Sequence, residues 1–382
     1  MQFEETPIQK ELRELTRKFA EKNITPIIEQ DERDEKFRPE LIKKLGELGL
    51  TGITVPEEFG GAGLGYQEYI CAIEELAAVS VSYAISVSVT GLPQIIINTF
   101  GNDAQKRKYI PALAGGSAIG AFSLTEASSG SDAASLRTTA QKKGDYYEIN
   151  GTKLFTTQAD IAETIILMAR TGGAGPKGVS AFIVEKGMPG LGYGKRERKM
   201  GWSCSHTMEL VLNGLKVPVA NLVGQEGDGF KIALNALNSG RITVGACALG
   251  IARAAFKLAA GHSRERQQFG QPIGLFQGVQ FMLADMATEL SAAQLMVQRA
   301  AWLKDNDKDF VTEAAMAKFY ATDMAMKLTT DAVQILGGAG YTQDFPAERF
   351  MREAKGLQIV EGTNQVQRMI IGKAIHQQEF HL

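Results

Sequence analysis

The feature that most constrains this chain is a texture that changes twice along it. Between residues 118 and 223 the sequence breaks into short runs rich in β-branched and aromatic residues, at 146–150, 153–157, 164–169, 180–185 and 208–212. Gly, Pro or Asp separates the runs, so the stretch is expected to form the strands of a small β-barrel or sandwich. Asn150-Gly151 predicts a hairpin turn, because both residues tolerate positive φ.

On both sides of this stretch the apolar period becomes helical. Ile8, Leu12, Leu15 and Phe19 recur at spacings of three and four, Pro26 interrupts, and Leu41, Leu45 and Leu48 resume the pattern. A glycine-rich loop at 55–65 should lead into an apolar helix from Tyr66, with Pro93 and Pro111 bracketing further helical pieces. Beyond Phe230 there is no proline between Pro272 and Pro346, and Met282, Met286, Leu290, Ala293 and Val297 recur at helical spacing. Long helices with many small residues suit a bundle. A chain of 382 residues exceeds one ordinary domain. The expected fold is therefore α+β and mainly α. It divides into a helical unit at 1–118, a β unit at 119–222 and a helical bundle at 223–382.

Composition removes several kinds of chemistry. Lys plus Arg total 41 against 43 for Asp plus Glu, a net charge of −2 that lacks the basic excess of a nucleic-acid binder. Cys71, Cys204 and Cys247 are far apart, and His206, His262, His376 and His381 show no zinc-ligand spacing with them. No metal is expected, and unpaired, scarce cysteine suggests a reducing compartment. No apolar run is expected to reach the length of a membrane span, and the acidic, amphipathic start is unlike a signal peptide. The expectation is a soluble cytoplasmic protein, or a matrix protein if this is a processed mitochondrial form. Its chemistry must come from carboxylates, backbone groups or an organic cofactor.

A few segments could supply it. Glu361 lies between apolar residues and Gly362; such a setting raises a carboxyl pKa toward that of a general base, and a glycine lets a substrate approach the backbone. The plainer reading is a Glu favoured by a helix-start dipole. The glycine-rich 334–340 run could present N–H groups to phosphate, but a helix end with a glycine turn explains it as well. Arg266 has the guanidinium fork that fits phosphate, and is equally a solvated helix end. The hydroxyl-rich 123–132 segment is by composition a turn.

Their order is more specific. AFSLTEASSGSDAASLRTTA, KLFTTQAD, RERQQFG, QILGGAGY and REAKGLQIVEGTNQVQR, in that sequence and at those spacings, resemble the acyl-CoA dehydrogenase family over essentially the whole chain. The resemblance implies an N-terminal helical domain, a middle β-domain and a C-terminal four-helix bundle. It also implies bound FAD, a homotetramer, and desaturation of acyl-CoA thioesters with an electron-transferring flavoprotein as acceptor. By motif it assigns flavin contacts to Phe122, Leu124, Thr125, Gly130 and Ser131, and to Phe155, Thr156 and Thr157. Arg266, Phe269, Phe276, Gln277, Gln334, Gly337 and Gly338 match positions that reach the FAD of a neighbouring subunit, and Thr363 and Gln365 close the flavin site. Ser131, Asn238, Arg241, Val360 and Gly362 match substrate-side positions.

Glu361 matches the family's catalytic base. Some members place the base instead just before an Arg matching Arg241, where this chain has Gly240. Phe155, Asn238 and Val360 depart from the Trp, Asp and Tyr of many straight-chain members and resemble the isobutyryl-CoA dehydrogenase branch. A short, possibly branched acyl group is the expected substrate, because an aliphatic Val360 leaves room beside the α-carbon for a methyl. An acyl-CoA oxidase using oxygen and a non-catalytic flavin or acyl-CoA binder are the alternatives. Peroxide release under air would favour the first, and a colourless protein the second.

Overall fold

The computed structural model describes residues 4–377; His381 lies outside them. Six helices come first: α1 (Pro7–Asn23), α2 (Ile28–Arg33), α3 (Pro39–Glu47), α4 (Tyr66–Ala77), α5 (Val81–Phe100) and α6 (Asp103–Ala114). Pro7 and a Thr6–Gln9 capping box start α1. Pro93 and Pro111 do not bracket helices but lie inside α5 and α6. A proline leaves a gap in the helix ladder. At Pro93 the first strand docks, with the Gly120 N–H donating to Thr90 Oγ1 at 3.3 Å and no room for a side chain at 120.

Eight strands follow: β1 (Gly120–Ser123), β2 (Thr139–Lys143), β3 (Tyr146–Thr157), β4 (Thr164–Arg170), β5 (Val179–Glu185), β6 (Leu191–Arg196), β7 (Thr207–Pro218) and β8 (Leu222–Val223). They form one sheet in the order β6-β7-β3-β2-β4-β5-β8, with β1 parallel to β4. The predicted hairpin at Asn150-Gly151 is instead a bulge in a continuous β3, whose register against β7 slips between Ile149 and Gly151. Gly151 has φ +150° and packs so closely on Thr138 that a Cβ would sit 2.5 Å from its hydroxyl. The real turn lies at Gly144-Asp145, where Gly144 has φ +67° and Lys143 pairs with Tyr146.

β4 and β5 are apolar along almost their whole length because both faces are covered. Ile165, Leu167, Phe182 and Val184 face a core shared with Tyr147, Ile149 and Leu210 of the sheet. Ile166, Met168, Ala181 and Ile183 face a second core with Ile96, Ile97, Tyr109 and Ile232 of the helices.

The chain continues as α7 (Gly229–Glu265), a small ribbon of β9 (Gln267–Gln268) and β10 (Gln271–Pro272), α8 (Gln277–Asp305), α9 (Val311–Leu336), α10 (Gly338–Tyr341), α11 (Ala347–Leu357) and α12 (Asn364–His376). The α8 stripe buries Met286, Ala293 and Val297 as its spacing predicts. Glycines let α7 approach its neighbours: a Cβ on Gly245 would press on Val297, and one on Gly250 would lie 2.3 Å from the Glu74 carbonyl. One expectation is corrected here. α5 and α7 are long and apolar enough to cross a membrane, yet 83% and 72% of their apolar windows are buried inside the fold, as the centre of a large helical core requires.

Candidate active site

Glu361 is not at a helix start but in the turn between α11 and α12, two residues before the Thr363 cap of α12. It has φ +53° and is followed by Gly362 at +91°. For a residue with a Cβ the left-handed conformation is strained, so neighbouring contacts must enforce it. The turn sends the carboxylate onto α7, where a Cβ on Gly240 would stand 1.7 Å from Oε2. Gly240 is therefore the floor on which the carboxylate rests. A base at 361 and a side chain at 240 would occupy the same space.

Oε2 is buried and has no hydrogen-bond partner among the described residues. Burial pushes the Glu361 carboxyl up to about 7, against the opposing pull of the Arg241 and Lys318 cations. Arg241 is itself buried at 3% exposure and held down in pKa by that burial. Its Nη1 donates to Asn238 Oδ1 at 2.5 Å, while its Nε lacks a partner. Arg241 thus lies within the field of Glu361 rather than on a surface open to a phosphate. The Glu361 N–H donates to no acceptor among the described residues, leaving it free for a substrate carbonyl.

The first segment that the resemblance assigns to the flavin leaves the end of β1 and the second is the end of β3, and the Leu154 N–H donates to the Thr125 carbonyl at 2.8 Å to join them. A buried pair braces both: Lys153 Nζ donates to the Leu124 carbonyl at 3.0 Å and to Glu126 Oε1 at 2.8 Å. The Glu126 carboxylate also accepts from the Arg137 and Thr138 N–H groups. Thr156 is buried, and its Oγ1 pairs with Ser123 Oγ at 2.9 Å to join the ends of β1 and β3. The hydroxyls of Thr125, Ser131 and Thr157 enter none of these bonds, Gly130 has open space around it, and Phe155, at φ +56°, is 60% exposed. Free hydroxyls and N–H groups beside an exposed ring fit the flavin that the sequence resemblance implies.

Side-chain hydrogen bonds also tie α5 to the strand end on one side and to the α7 turn under the base on the other. Gln158 Nε2 donates to Ser86 of α5, Ser88 pairs with Thr243 of α7 at 2.5 Å, and Thr243 Oγ1 donates to the Gly240 carbonyl at 2.9 Å.

The remaining predicted residues divide. Thr363 Oγ1 caps α12 by accepting from the Val366 N–H, and Gln365 is exposed one turn away from Glu361. Val360 packs at the edge of the core. Arg266 stands at the far end of α7 from Arg241, roughly 38 Å along the helix axis. Phe269, 94% exposed with its ring edge-on to Phe276, and Gln277 lie at that end, and Gln334, Gly337 and Gly338 are exposed at the end of α9. The chain alone does not bring Arg266 to its own Glu361.

Sequence reasoning missed Lys153, Glu126 and Lys318. The signal for Lys153 was a lysine on the inward register of β3 between Gly151 and Phe155; for Lys318 there was only a lysine in an otherwise small-residue run.

Comparisons with known proteins agree in extent and in kind. Residues 6–117 match the acyl-CoA dehydrogenase N-terminal domain, 121–215 the middle domain and 227–376 the C-terminal domain. An acyl-CoA dehydrogenase of Bacillus subtilis is 50% identical over 95% of this chain and 96% of its own length. The mitochondrial isobutyryl-CoA dehydrogenase of Dictyostelium discoideum is 41% identical over 97% of this chain and 89% of its own. The solved butyryl-CoA dehydrogenase of Megasphaera elsdenii superposes with a TM-score of 0.97 at 44% identity, covering 98% of this chain and all of that one.

Proposed function

The chain belongs to the acyl-CoA dehydrogenase family, and on that premise we propose that it is an FAD-dependent dehydrogenase that desaturates a short acyl-CoA between its α and β carbons. The observation that carries the assignment is the Glu361 carboxylate, buried, unpartnered at Oε2 and poised near neutral pH. In this reading Glu361 takes the α-proton of the thioester. Its own N–H donates to the thioester carbonyl and stabilises the enolate-like charge, an effect of about 3–4 kcal/mol for a well-placed donor. Bound FAD supplies the acceptor for the β-hydride. The β1 and β3 ends, braced by Lys153 and Glu126, would hold that cofactor through Thr125, Ser131, Thr157 and backbone groups. Positioning accounts for much of the remaining acceleration.

The acyl group is short, and the branched reading rests on Val360, which leaves space where an aromatic wall would stand. Similarity to both a butyryl-CoA and an isobutyryl-CoA dehydrogenase supports a pocket serving either, since one methyl is worth only about 1–3 kcal/mol of discrimination. Such an enzyme would act in fatty-acid or branched-chain amino-acid breakdown, passing electrons to an electron-transferring flavoprotein. A homotetramer is supported by the separation of Arg266 from Arg241 and by the exposed Phe269, Leu275 and Phe281. We place the enzyme in the cytoplasm, a reading supported by the bacterial Bacillus and Megasphaera relatives, and its three units at 1–118, 119–222 and 223–382.

Glu361→Gln tests the assignment. It is expected to keep its yellow flavin and to lose anaerobic bleaching with butyryl-CoA and isobutyryl-CoA; normal turnover by that variant would overturn the role of Glu361.

A further inference from the structure

Lys318 of α9 is fully buried, yet among the described residues its Nζ has no carboxylate partner. It donates to the Gly362 carbonyl at 3.1 Å and to Asn364 Oδ1 at 2.9 Å. An ammonium taken from water and offered only neutral acceptors carries a large desolvation cost, so its retention calls for a reason. The acceptors it chooses are one and three residues beyond Glu361.

Other groups close on the same turn. Gln367 Nε2 donates to the Gly362 carbonyl at 2.7 Å and to the Glu361 carbonyl at 3.3 Å. Asn364 Nδ2 donates to Thr322 Oγ1 at 2.9 Å and to Asp323 Oδ1 at 2.7 Å, which fixes its Oδ1 toward Lys318. Two consecutive left-handed residues are held from α9 and α12 at once, and Lys318 is the only cation among these donors.

We propose that Lys318 is a positioning residue for the reaction: its ammonium clamps the Gly362 carbonyl, keeps the Glu361–Gly362 turn left-handed, and sets a positive charge behind the base carboxylate. The proposal rests on the reading of Glu361 as the base. Charged and titratable groups facing Glu361 are Arg241 and Cys247 from α7, Lys318 from α9, and Tyr66 and Tyr69 from α4; Asp323 faces Lys318 from its own helix. Of these, only Arg241 and Lys318 pull the carboxyl toward its ionised form; burial lowers Lys318 itself to about 7, so it carries its charge on the acid limb where Glu361 titrates and acts on the alkaline plateau as a donor alone. Removing Lys318 leaves that task to Arg241 alone, and the carboxyl must then titrate higher.

Lys318→Gln keeps a donor and loses the charge; Lys318→Met loses both; Asn364→Ala keeps the charge and loosens the clamp. The measurements, all on the holoenzyme, are kcat/KM for butyryl-CoA against pH, flavin content, and amide hydrogen exchange of residues 359–364. Lys318→Gln is expected to move the acid limb up by about half a pH unit or more with flavin retained. Lys318→Met should also lower the alkaline plateau about tenfold or more and speed exchange in the turn. Asn364→Ala should lower the plateau and leave the limb in place. An unmoved limb in Lys318→Gln, or equal limb shifts in Lys318→Gln and Asn364→Ala, overturns the charge role; unchanged exchange in Lys318→Met and Asn364→Ala overturns the clamp. If the lysine variants do not fold, Asn364→Ala alone decides the clamp, and a limb moved in that variant still refutes the division of roles. A wrong reading of Glu361 shows separately, as turnover by Glu361→Gln with Lys318 intact.

Discussion

Gly240→Ala separates the fold from the chemistry with a single methyl. The new Cβ would stand 1.7 Å from Glu361 Oε2 and 2.4 Å from its Cδ, far inside contact distance. The obstacle is the end of a flexible side chain, so the carboxylate should yield rather than the helices. To reach ordinary contact it must retreat by roughly 1.7 Å. A displacement of about 1 Å at a reacting group can cost about a hundredfold in rate. The expected loss in kcat is therefore a hundredfold or more, equivalent to at least about 2.7 kcal/mol on the barrier. Stability should change little: alanine is favoured over glycine inside a helix by about 0.8–1.0 kcal/mol, which offsets the local crowding. Stopped-flow flavin reduction by butyryl-CoA and a thermal melt, both on purified holoenzyme, make the comparison. A variant with its melting midpoint kept and reduction slowed a hundredfold fits the geometry. Reduction within threefold of the parent would refute it, because the carboxylate could not then be resting on Gly240.

Two further outcomes follow from burial. Glu361 must be ionised to accept a proton and its carboxyl is held up at about 7, so kcat/KM should fall about tenfold per pH unit below that value and level off above it. Its folded pKa exceeds the ordinary value of 4.5, so its contribution to stability is greatest below pH 4.5 and is lost as pH rises through 7. Glu361→Gln should thus melt higher than the parent at pH 9 and no higher at pH 4; equal midpoints at pH 9 would contradict a buried carboxylate. Gly250→Ala presses on backbone instead of a side chain, with its Cβ 2.3 Å from the Glu74 carbonyl, so α4 and α7 must separate. A destabilisation of about 1–3 kcal/mol is expected, read as a lower melting midpoint with activity per folded molecule retained.

Much of this molecule was legible in one dimension because its signals are periodic or local. The alternation of textures placed helices before Gly120 and after Gly229, and strand-like runs between them. Glu361 stood out for its apolar neighbours and its motif. The errors came where tertiary contact overrides a local rule. Asn150-Gly151 reads as a turn, but β7 runs alongside it and converts the flexible pair into a bulge. Pro93 reads as a boundary, but α5 runs through it and the Gly120 backbone packs closely against its ring. Lys318 carries no local mark, because its meaning depends on a turn 44 residues away in the chain. α7 was legible as a bundle helix from its small residues, whereas the neighbour each glycine meets could be seen only in space.

The two-faced burial of β4 and β5 has a consequence for how such a protein can come into being. Three segments can be drawn on the sequence, but the middle one cannot be excised as a well-behaved piece. Cut free, it would present Ile166, Met168, Val179 and Ile183 to water as a continuous greasy stripe, where Ile96, Tyr109 and Ile232 now cover them. During synthesis that stripe waits first on α5 and α6, already made, and then on α7, which emerges later. The β unit therefore matures as the filling between helices on both sides of it in sequence, and recombination of such chains at the visible seams would have to exchange all three parts together.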